Sequence, residues 1–321
     1  MGNGRIHAHW SSGSGRTRPT LDVRAAMLEE VLRLRRGSYL YREISDQIQE
    51  DFGVRLAKET ISGWVRGISS PLNSGHQFNP EPTPALAYII GVETGDGFLN
   101  QKRRGYQYRI RLRAVDIEFV EAFNQAVAEV LQCRPHRLWK GKKSRETEVE
   151  FGSYLLHKFL SQPLQSLTAF IEHCRRCAAA FLRGFFDSEG SIDVSGRALT
   201  ASNTDIDLLR YVQYLLTVYF GIETTGPRLG TKKGSILTRR GRSYVRKADC
   251  YYIYVRRTCV GHFFSEIGLT IQRKTARFEK SIGSWVSVEN GKRGEWDSNP
   301  RVLTDKGLAI LRPTRLGDPR S

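Results

Sequence analysis

Two short stretches of the chain carry residues whose types and spacing suit chemistry. "YIIGVETGDG" covers residues 88–97 and "FLRGFFDSEG" covers residues 181–190. Each is apolar, then acidic, then closes on a glycine. Ala87, Gly91 and Gly95 stand at i, i+4 and i+8, as do Ala180, Gly184 and Ser188, with an offset of 93 residues at each position. On a helix, each set forms a stripe of small side chains down one face. Two such stripes let two helices approach closely, and their C-terminal ends then meet. Asp96 and Glu189 each follow the last small residue, so both acids arrive at that end. Two carboxylates at two negative helix ends repel each other and the helix dipoles. A divalent cation offsets that repulsion. Carboxylates of Asp96 and Glu189 and main-chain carbonyls of Gly95 and Ser188 are hard oxygen donors, suited to Mg²⁺ (or Mn²⁺). With a phosphate as a further ligand, the chemistry is phosphodiester hydrolysis.

The elements around the pair repeat as well. "DIEFV" (Asp116 to Val120) matches "DIDLL" (Asp205 to Leu209) at nearly the same offset. The patterning predicts strands at 98–100, 106–114, 136–141 and 146–151 in the first copy, with helices at 116–131 and 154–160. The second copy has predicted strands at 191–194, 197–202, 222–229 and 251–256, with helices at 205–220 and 271–282. Each copy reads α-β-β-α-β-β-α, an α+β fold. The domain reading is a disordered N-terminus 1–20, a helical domain 21–68, a linker 69–83, repeats 84–176 and 177–286, and a loose basic tail 287–321.

The helical domain has its own signature. Ile44, Ile48 and Phe52 share one helix face, Gly53 turns the chain, and Ile61, Trp64 and Val65 face inward from a second helix. That is the outline of a helix-turn-helix, with Lys58, Ser62 and Arg66 outward as DNA contacts.

Charge narrows the partner. The 321 residues carry 50 Lys+Arg against 33 Asp+Glu, a net charge of +17. A field of that sign favours a polyanion. No apolar run reaches the roughly 20 residues needed to span a bilayer, and no secretory signal is visible, so no membrane partner is expected and the localisation reads as cytoplasmic, nucleoid-associated. In "YRIRLR", Arg109, Arg111 and Arg113 alternate with core residues to make a cationic strand face, beside Lys102, Arg103 and Arg104. Lys140 is a further DNA contact. "TKKGSILTRRGRSYVRK" (231–247) reads as a flexible basic clamp carrying Lys232, Lys233, Arg239, Arg240 and Arg242. The acidic alternation of Glu146, Glu148 and Glu150 finds no role at this level.

Five cysteines, an odd and sparse set, point to reduced thiols. Cys174 and Cys177 form a lone C-x-x-C without a second pair, with His173 the only imidazole nearby. They read as two buried thiols on a helix rather than a zinc site.

The paired motifs and the element order resemble the LAGLIDADG homing endonucleases in their single-chain, two-motif form, over about residues 84–283. "SNTDIDLLRYVQYLLTVYFGIE" and "IGLTIQRKTARFEKSI" are similar to archaeal members, some of which carry an N-terminal helix-turn-helix. The resemblance implies two pseudo-symmetric halves, each with an antiparallel saddle sheet over DNA. It implies a monomer acting on a long, pseudo-palindromic double-stranded target, with Asp96 and Glu189 binding Mg²⁺ over the minor groove and leaving 3′ overhangs. It also implies a basic or polar assistant near the last helix, Lys274 or Gln272, and an intron-encoded origin. The alternatives are an RNA splicing maturase that binds its host intron RNA, and a non-catalytic DNA-binding regulator. Glu93 and Thr94 depart from the motif, which has an apolar residue and an acid there. The first copy lacks a counterpart of "IQRKTARF", so an asymmetric site is expected.

Overall fold

The computed structural model describes residues 19–72, 78–102, 107–142, 144–196, 198–239 and 242–280. The readings of 1–18, 73–77 and 281–321 lie outside the described residues.

Three helices come first: α1 (Leu21–Arg36), α2 (Tyr41–Phe52) and α3 (Lys58–Val65). Thr20 caps α1 by accepting from the Val23 N–H at 3.4 Å. The Glu43 side chain accepts the Leu40 N–H at 2.7 Å before α2. Gly53 ends α2 at φ +68, a left-handed conformation that glycine adopts without a Cβ penalty. Met27, Val31, Leu34, Ile44, Ile48 and Ile61 form a small closed core. Side chains, and not backbone continuity alone, tie this unit to the first repeat. Asp22, in the first turn of α1, accepts from Tyr108 Oη, from Tyr154 Oη at 3.2 Å, and from Lys158 Nζ at 2.8 Å.

The first copy runs α4 (Pro84–Glu93), β1 (Phe98–Lys102), β2 (Gln107–Ala114), α5 (Ile117–Val130), β3 (Trp139–Lys140), β4 (Thr147–Gly152), α6 (Tyr154–Leu160) and α7 (Leu164–Ile171). The second runs α8 (Arg175–Glu189), β5 (Gly190–Ile192), β6 (Leu199–Asn203), α9 (Ile206–Phe220), β7 (Thr224–Thr231), β8 (Ile236–Arg239), β9 (Arg242–Val245), β10 (Cys250–Val255), a 3₁₀ turn at Arg257–Cys259, α10 (Val260–Glu266) and a helix at 272–280, here α11. The sheets have the same order by position, β1-β2-β4-β3 and β5-β6-β10-β7, all antiparallel.

Several expectations are corrected. Each copy closes on two helices, not one: α6 and α7, then α10 and α11. The expected strand at 136–141 shrinks to two residues. The Asn124 side chain takes both backbone groups of His136, donating to its carbonyl at 2.7 Å and accepting its N–H at 2.8 Å, which removes them from the ladder. The basic stretch 231–247, read as a turn, holds a paired hairpin, β8 with β9. Cys174 is not on a helix: it is the N-cap of α8, and only Cys177 lies inside it.

One continuous hydrophobic core serves both copies, with α4 and α8 at its centre. Leu86, Ile89 and Ile90 from α4 and Phe181, Leu182, Phe185 and Phe186 from α8 are 0–1% exposed. Each such side chain contributes about 1.5–3 kcal/mol by leaving water. In β2, Ile110 and Leu112 enter this core, Tyr108 joins a small separate cluster with Leu72 and Tyr154, and the arginines take the other face.

Candidate active site

The site is built on backbone proximity. A Cβ on Gly91 would lie 2.1 Å from the Phe181 carbonyl oxygen, and one on Gly184 would lie 2.4 Å from the Tyr88 oxygen. Both positions therefore require glycine. Further along, a Cβ on Gly95 would meet Ser188 Cβ at 2.5 Å and Glu189 Cγ at 3.0 Å. Ala87 and Ala180 are buried at the start of the same stripe. Ser188 Oγ donates to the Gly184 carbonyl at 3.1 Å and reaches the Val92 carbonyl at 3.5 Å. The two helices thus converge along the small residues, and the loop carrying Asp96 lands beside the end of α8.

Glu189 senses Asp96. Burial pushes the Glu189 carboxyl up to about 7, and the negative charge of Asp96 adds to the rise. Burial also raises Asp96, opposed by the positive charge of Lys274. Asn203, at the end of β6, donates to Glu189 Oε1 at 3.1 Å and orients it.

Lys274 is buried, and its Nζ donates to the carbonyls of Phe186 at 3.1 Å and Asp187 at 2.7 Å. The Phe186 carbonyl also accepts the Gly190 N–H, and its second lone pair takes the lysine; carbonyls later in the last turn have no intrahelical partner. Burial lowers the lysine's pKa to about 8, although the charges of Asp187, Asp116 and Asp96 resist that. Asp187 is itself buried. It accepts from the Thr270 N–H at 2.9 Å, Thr270 Oγ1 at 2.6 Å and Tyr88 Oη at 3.2 Å. It therefore locks the entry to α11 and cannot turn toward Glu189. Gln272 takes a different place: its N–H donates to Glu118 Oε1 at 2.9 Å and its side chain is exposed.

A cleft of about 370 Å³ opens beside this cluster, lined by Asp96, Ser188 and Lys274 and by Arg113, Arg273 and Arg277. Arg273 forks onto Asp116 at 2.6 and 2.8 Å, and Arg277 donates to the Ile192 carbonyl at 3.1 Å. Sequence reasoning missed Arg273, Arg277 and Asn203. The arginines stand in "IQRKTARF", and helical spacing from Lys274 (i−1, i+3) was the signal for them. Asn203 had no such signal, because only strand pairing brings it under Glu189.

The other side of the motif pair differs. Glu93 lies against Gly97, lining a pocket of about 200 Å³ with Ile90, Leu99, Leu160 and Leu164. Its Oε1 is buried without a hydrogen-bond partner, and burial alone pushes its carboxyl to about 8. Thr94 Oγ1 donates back to the Gly91 carbonyl at 2.8 Å. The site is asymmetric, with a lysine on one flank and an unpartnered acid on the other.

The expected cationic face of β2 is balanced instead. Arg109 pairs with Glu150, Arg111 with Glu148 at 3.6 Å, and Arg113 with Glu146 at 2.6 Å. The antiparallel register of β2 and β4 sets the two charge rows side by side. The matching face of the second sheet carries Thr200, Ser202, Tyr252 and Tyr254. Lys140, Lys232 and Lys233 are exposed, as are Lys58 and Arg66, with Ser62 half-buried on α3. Arg103, Arg104 and Arg240 lie outside the described residues, as do the side chains of Lys102, Arg239 and Arg242.

The chain is similar to several known proteins. Residues 176–268 match the model of the LAGLIDADG-like domain. Uncharacterized protein MJ0398 of Methanocaldococcus jannaschii is 30% identical over 261 residues, covering 80% of this chain and 93% of the relative. Uncharacterized protein MJ0314 of the same organism is 26% identical over 144 residues, covering 41% and 53%. The crystal structure of I-DmoI in complex with DNA and Mn is similar at a TM-score of 0.43 and 20% identity, over 59% of this chain and 98% of that one. Full-length DUF199/WhiA from Thermatoga maritima is similar at 0.40 and 15%, over 67% and 68%. The doubled motif, its packed helices and the extent of the sequence match agree, and this chain belongs to the LAGLIDADG family.

Proposed function

We propose that this chain is a site-specific DNA endonuclease that hydrolyses one phosphodiester bond in each strand of a long, pseudo-palindromic target. The observation that carries the reading is the meeting of Asp96 and Glu189 at adjoining helix ends, with Lys274 beside them. The donor set suits a hard divalent cation: two acids whose ionisation is held back by burial, and by Asp96's charge at Glu189, with oxygen donors around them. Asp96 and Glu189, with the carbonyls of Gly95 and Ser188, would hold Mg²⁺ or Mn²⁺. Such an ion supplies phosphate polarisation and a more acidic bound water.

The rest is work for the chain's own side chains. The glycine contacts fix the separation of the two acids. Asn203 holds one Glu189 oxygen and so sets the orientation of that carboxylate. Lys274, with a pKa near 8, can stabilise developing negative charge or donate a proton to the leaving oxygen. Arg277 lines the way in and supplies positive potential for a phosphate backbone, while the charge of Arg273 is matched by Asp116. The outward residues of α3, Lys58, Ser62 and Arg66, would read duplex outside the cut site, as the second helix of a helix-turn-helix does. The intron-encoded origin and the 3′ overhangs belong to this same reading. The test is Mg²⁺-dependent cleavage of the intronless host locus by the full chain, by Asp96→Asn and by Glu189→Gln. The wild type should cut and both variants should bind without cutting. Cutting by both variants would overturn it.

A regulator that binds DNA without cutting is the second reading. The balanced Arg/Glu rows on the first sheet favour it, because they weaken phosphate attraction at a sheet that would hold the cut site and leave DNA binding to the outward residues of α3. Sequence-specific binding with no cleavage in Mg²⁺ or Mn²⁺ would select it.

A further inference from the structure

Outside the carboxylate site, the described residues hold another group of side chains with converging ligand atoms. His173, Cys174 and Cys177 bring one imidazole nitrogen and two sulfurs within 4.8 Å of one another. The two sulfurs lie 3.3 Å apart, and the Cys177 N–H points at Cys174 Sγ at 3.4 Å. Cys177 is fully buried, Cys174 is half-buried at the helix cap, and His173 is exposed at the rim.

The segment is braced on both sides. The Glu172 carboxylate accepts from Tyr211 Oη at 3.0 Å and Tyr214 Oη at 3.3 Å, and the Glu172 carbonyl accepts from Tyr219 Oη at 3.2 Å. On the other side Arg175 donates to Glu266 Oε2 at 2.8 Å and lies over the Phe220 ring. The backbone that presents the three ligands is therefore fixed by α9 and α10.

We infer that His173, Cys174 and Cys177 form a binding site for a thiophilic divalent cation of the zinc class. Two sulfurs and an imidazole, with no carboxylate among them, suit zinc and not Mg²⁺. Bond lengths of about 2.3 Å to sulfur and about 2.0 Å to nitrogen give tetrahedral edges of about 3.5–3.8 Å. The sulfurs need to part by a few tenths of an ångström, and the exposed imidazole closes the third edge. The fourth position faces solvent and takes a water or an exogenous ligand. Bound there, the ion would pin the connection between α7 and α8, where one copy passes into the other. α8 spans 15 residues, about 22 Å at 1.5 Å per residue. Its two ends would then carry a soft site and a hard site that do not share ligands.

The test uses the reduced full-length chain and Co²⁺ as a spectroscopic probe. One equivalent of Co²⁺ should produce a thiolate-to-cobalt charge-transfer band and tetrahedral d–d bands, and one equivalent of Zn²⁺ should abolish both. Co²⁺ at Asp96 and Glu189 gives no thiolate band, so the two sites are told apart. Cys174→Ser should lose the band. It keeps its fold because serine is a good helix N-cap, which far-ultraviolet circular dichroism verifies. His173→Ala should weaken Co²⁺ binding at least tenfold. The triple variant Cys133→Ser/Cys250→Ser/Cys259→Ser should keep the band at full height. No band in the wild type, or an undiminished band in Cys174→Ser, overturns the inference. So does a reduced chain that takes up no metal.

Discussion

Lys274 and Asp187 meet through the backbone: Lys274 Nζ donates to the Asp187 carbonyl at 2.7 Å, while the Asp187 carboxylate is taken by Thr270 and Tyr88. The lysine therefore docks on the end of α8 itself, two residues before Glu189, and not on an acid side chain. Lys274→Met keeps the stem's volume and removes the charge. It should lower cleavage by about 10²–10⁴-fold with target affinity within a few-fold of wild type. Single-turnover cleavage and gel-shift titration on the same DNA check this. Equal rates would remove Lys274 from the chemistry.

Glu189 should make cation binding pH-dependent. Its carboxyl is raised to about 7, so it is increasingly protonated below that pH and a cation must displace the proton. Mg²⁺ affinity should rise from pH 6 to pH 8 and level off above. In Glu189→Gln the same titration should be weak and nearly flat. Isothermal titration across that range decides it.

Glu93 should cost stability. Its folded pKa, about 8, lies above the ordinary carboxylate value of 4.5. The native state holds the proton more tightly, so this contribution is full below pH 4.5 and is lost as pH rises through 8. Glu93→Ile removes a buried oxygen that has no partner. It should stabilise the chain by about 1–3 kcal/mol at pH 8 and by less at pH 5. Urea unfolding at the two pH values measures the difference.

The glycine contacts predict a sharp contrast. Gly91→Ala and Gly184→Ala each drive a methyl into a carbonyl of the facing helix and should destabilise by about 1–3 kcal/mol or more, with loss of cleavage. Gly261→Ala, in open space on α10, should be neutral or stabilising by up to about 1 kcal/mol. Thermal melts of the three variants compare them directly.

The charge rows on the first sheet also give a readout. Glu148→Gln and Glu150→Gln free Arg111 and Arg109. If this face lies on DNA, each variant should raise non-specific affinity and steepen the slope of log K against log salt by about 1. An unchanged slope would place the face off the DNA.

Much of this was legible in sequence because it rests on local rules. A small residue every fourth position marks a helix stripe, and two stripes in register mark a close helix pair, so Gly91, Gly184, Asp96 and Glu189 could be singled out from spacing alone. Strand alternation placed Ile110 and Leu112 inward in the same way. What spacing could not supply was partnership across the chain. Glu146, Glu148 and Glu150 stayed unexplained until the β2–β4 register set them beside Arg113, Arg111 and Arg109. Lys274 and Gln272 were equal candidates two residues apart. The turn of α11 around Thr270 and Asp187 buries one and exposes the other. The C-x-x-C looked like two thiols inside a helix, yet the helix begins after Cys174 and leaves that sulfur at the cap beside His173. Sequence determined the periodic elements, because periodicity follows from one backbone's geometry. The tertiary structure decided register, capping and burial, because each depends on groups about 10 to 160 residues apart in the chain, whose pairing no local pattern encodes.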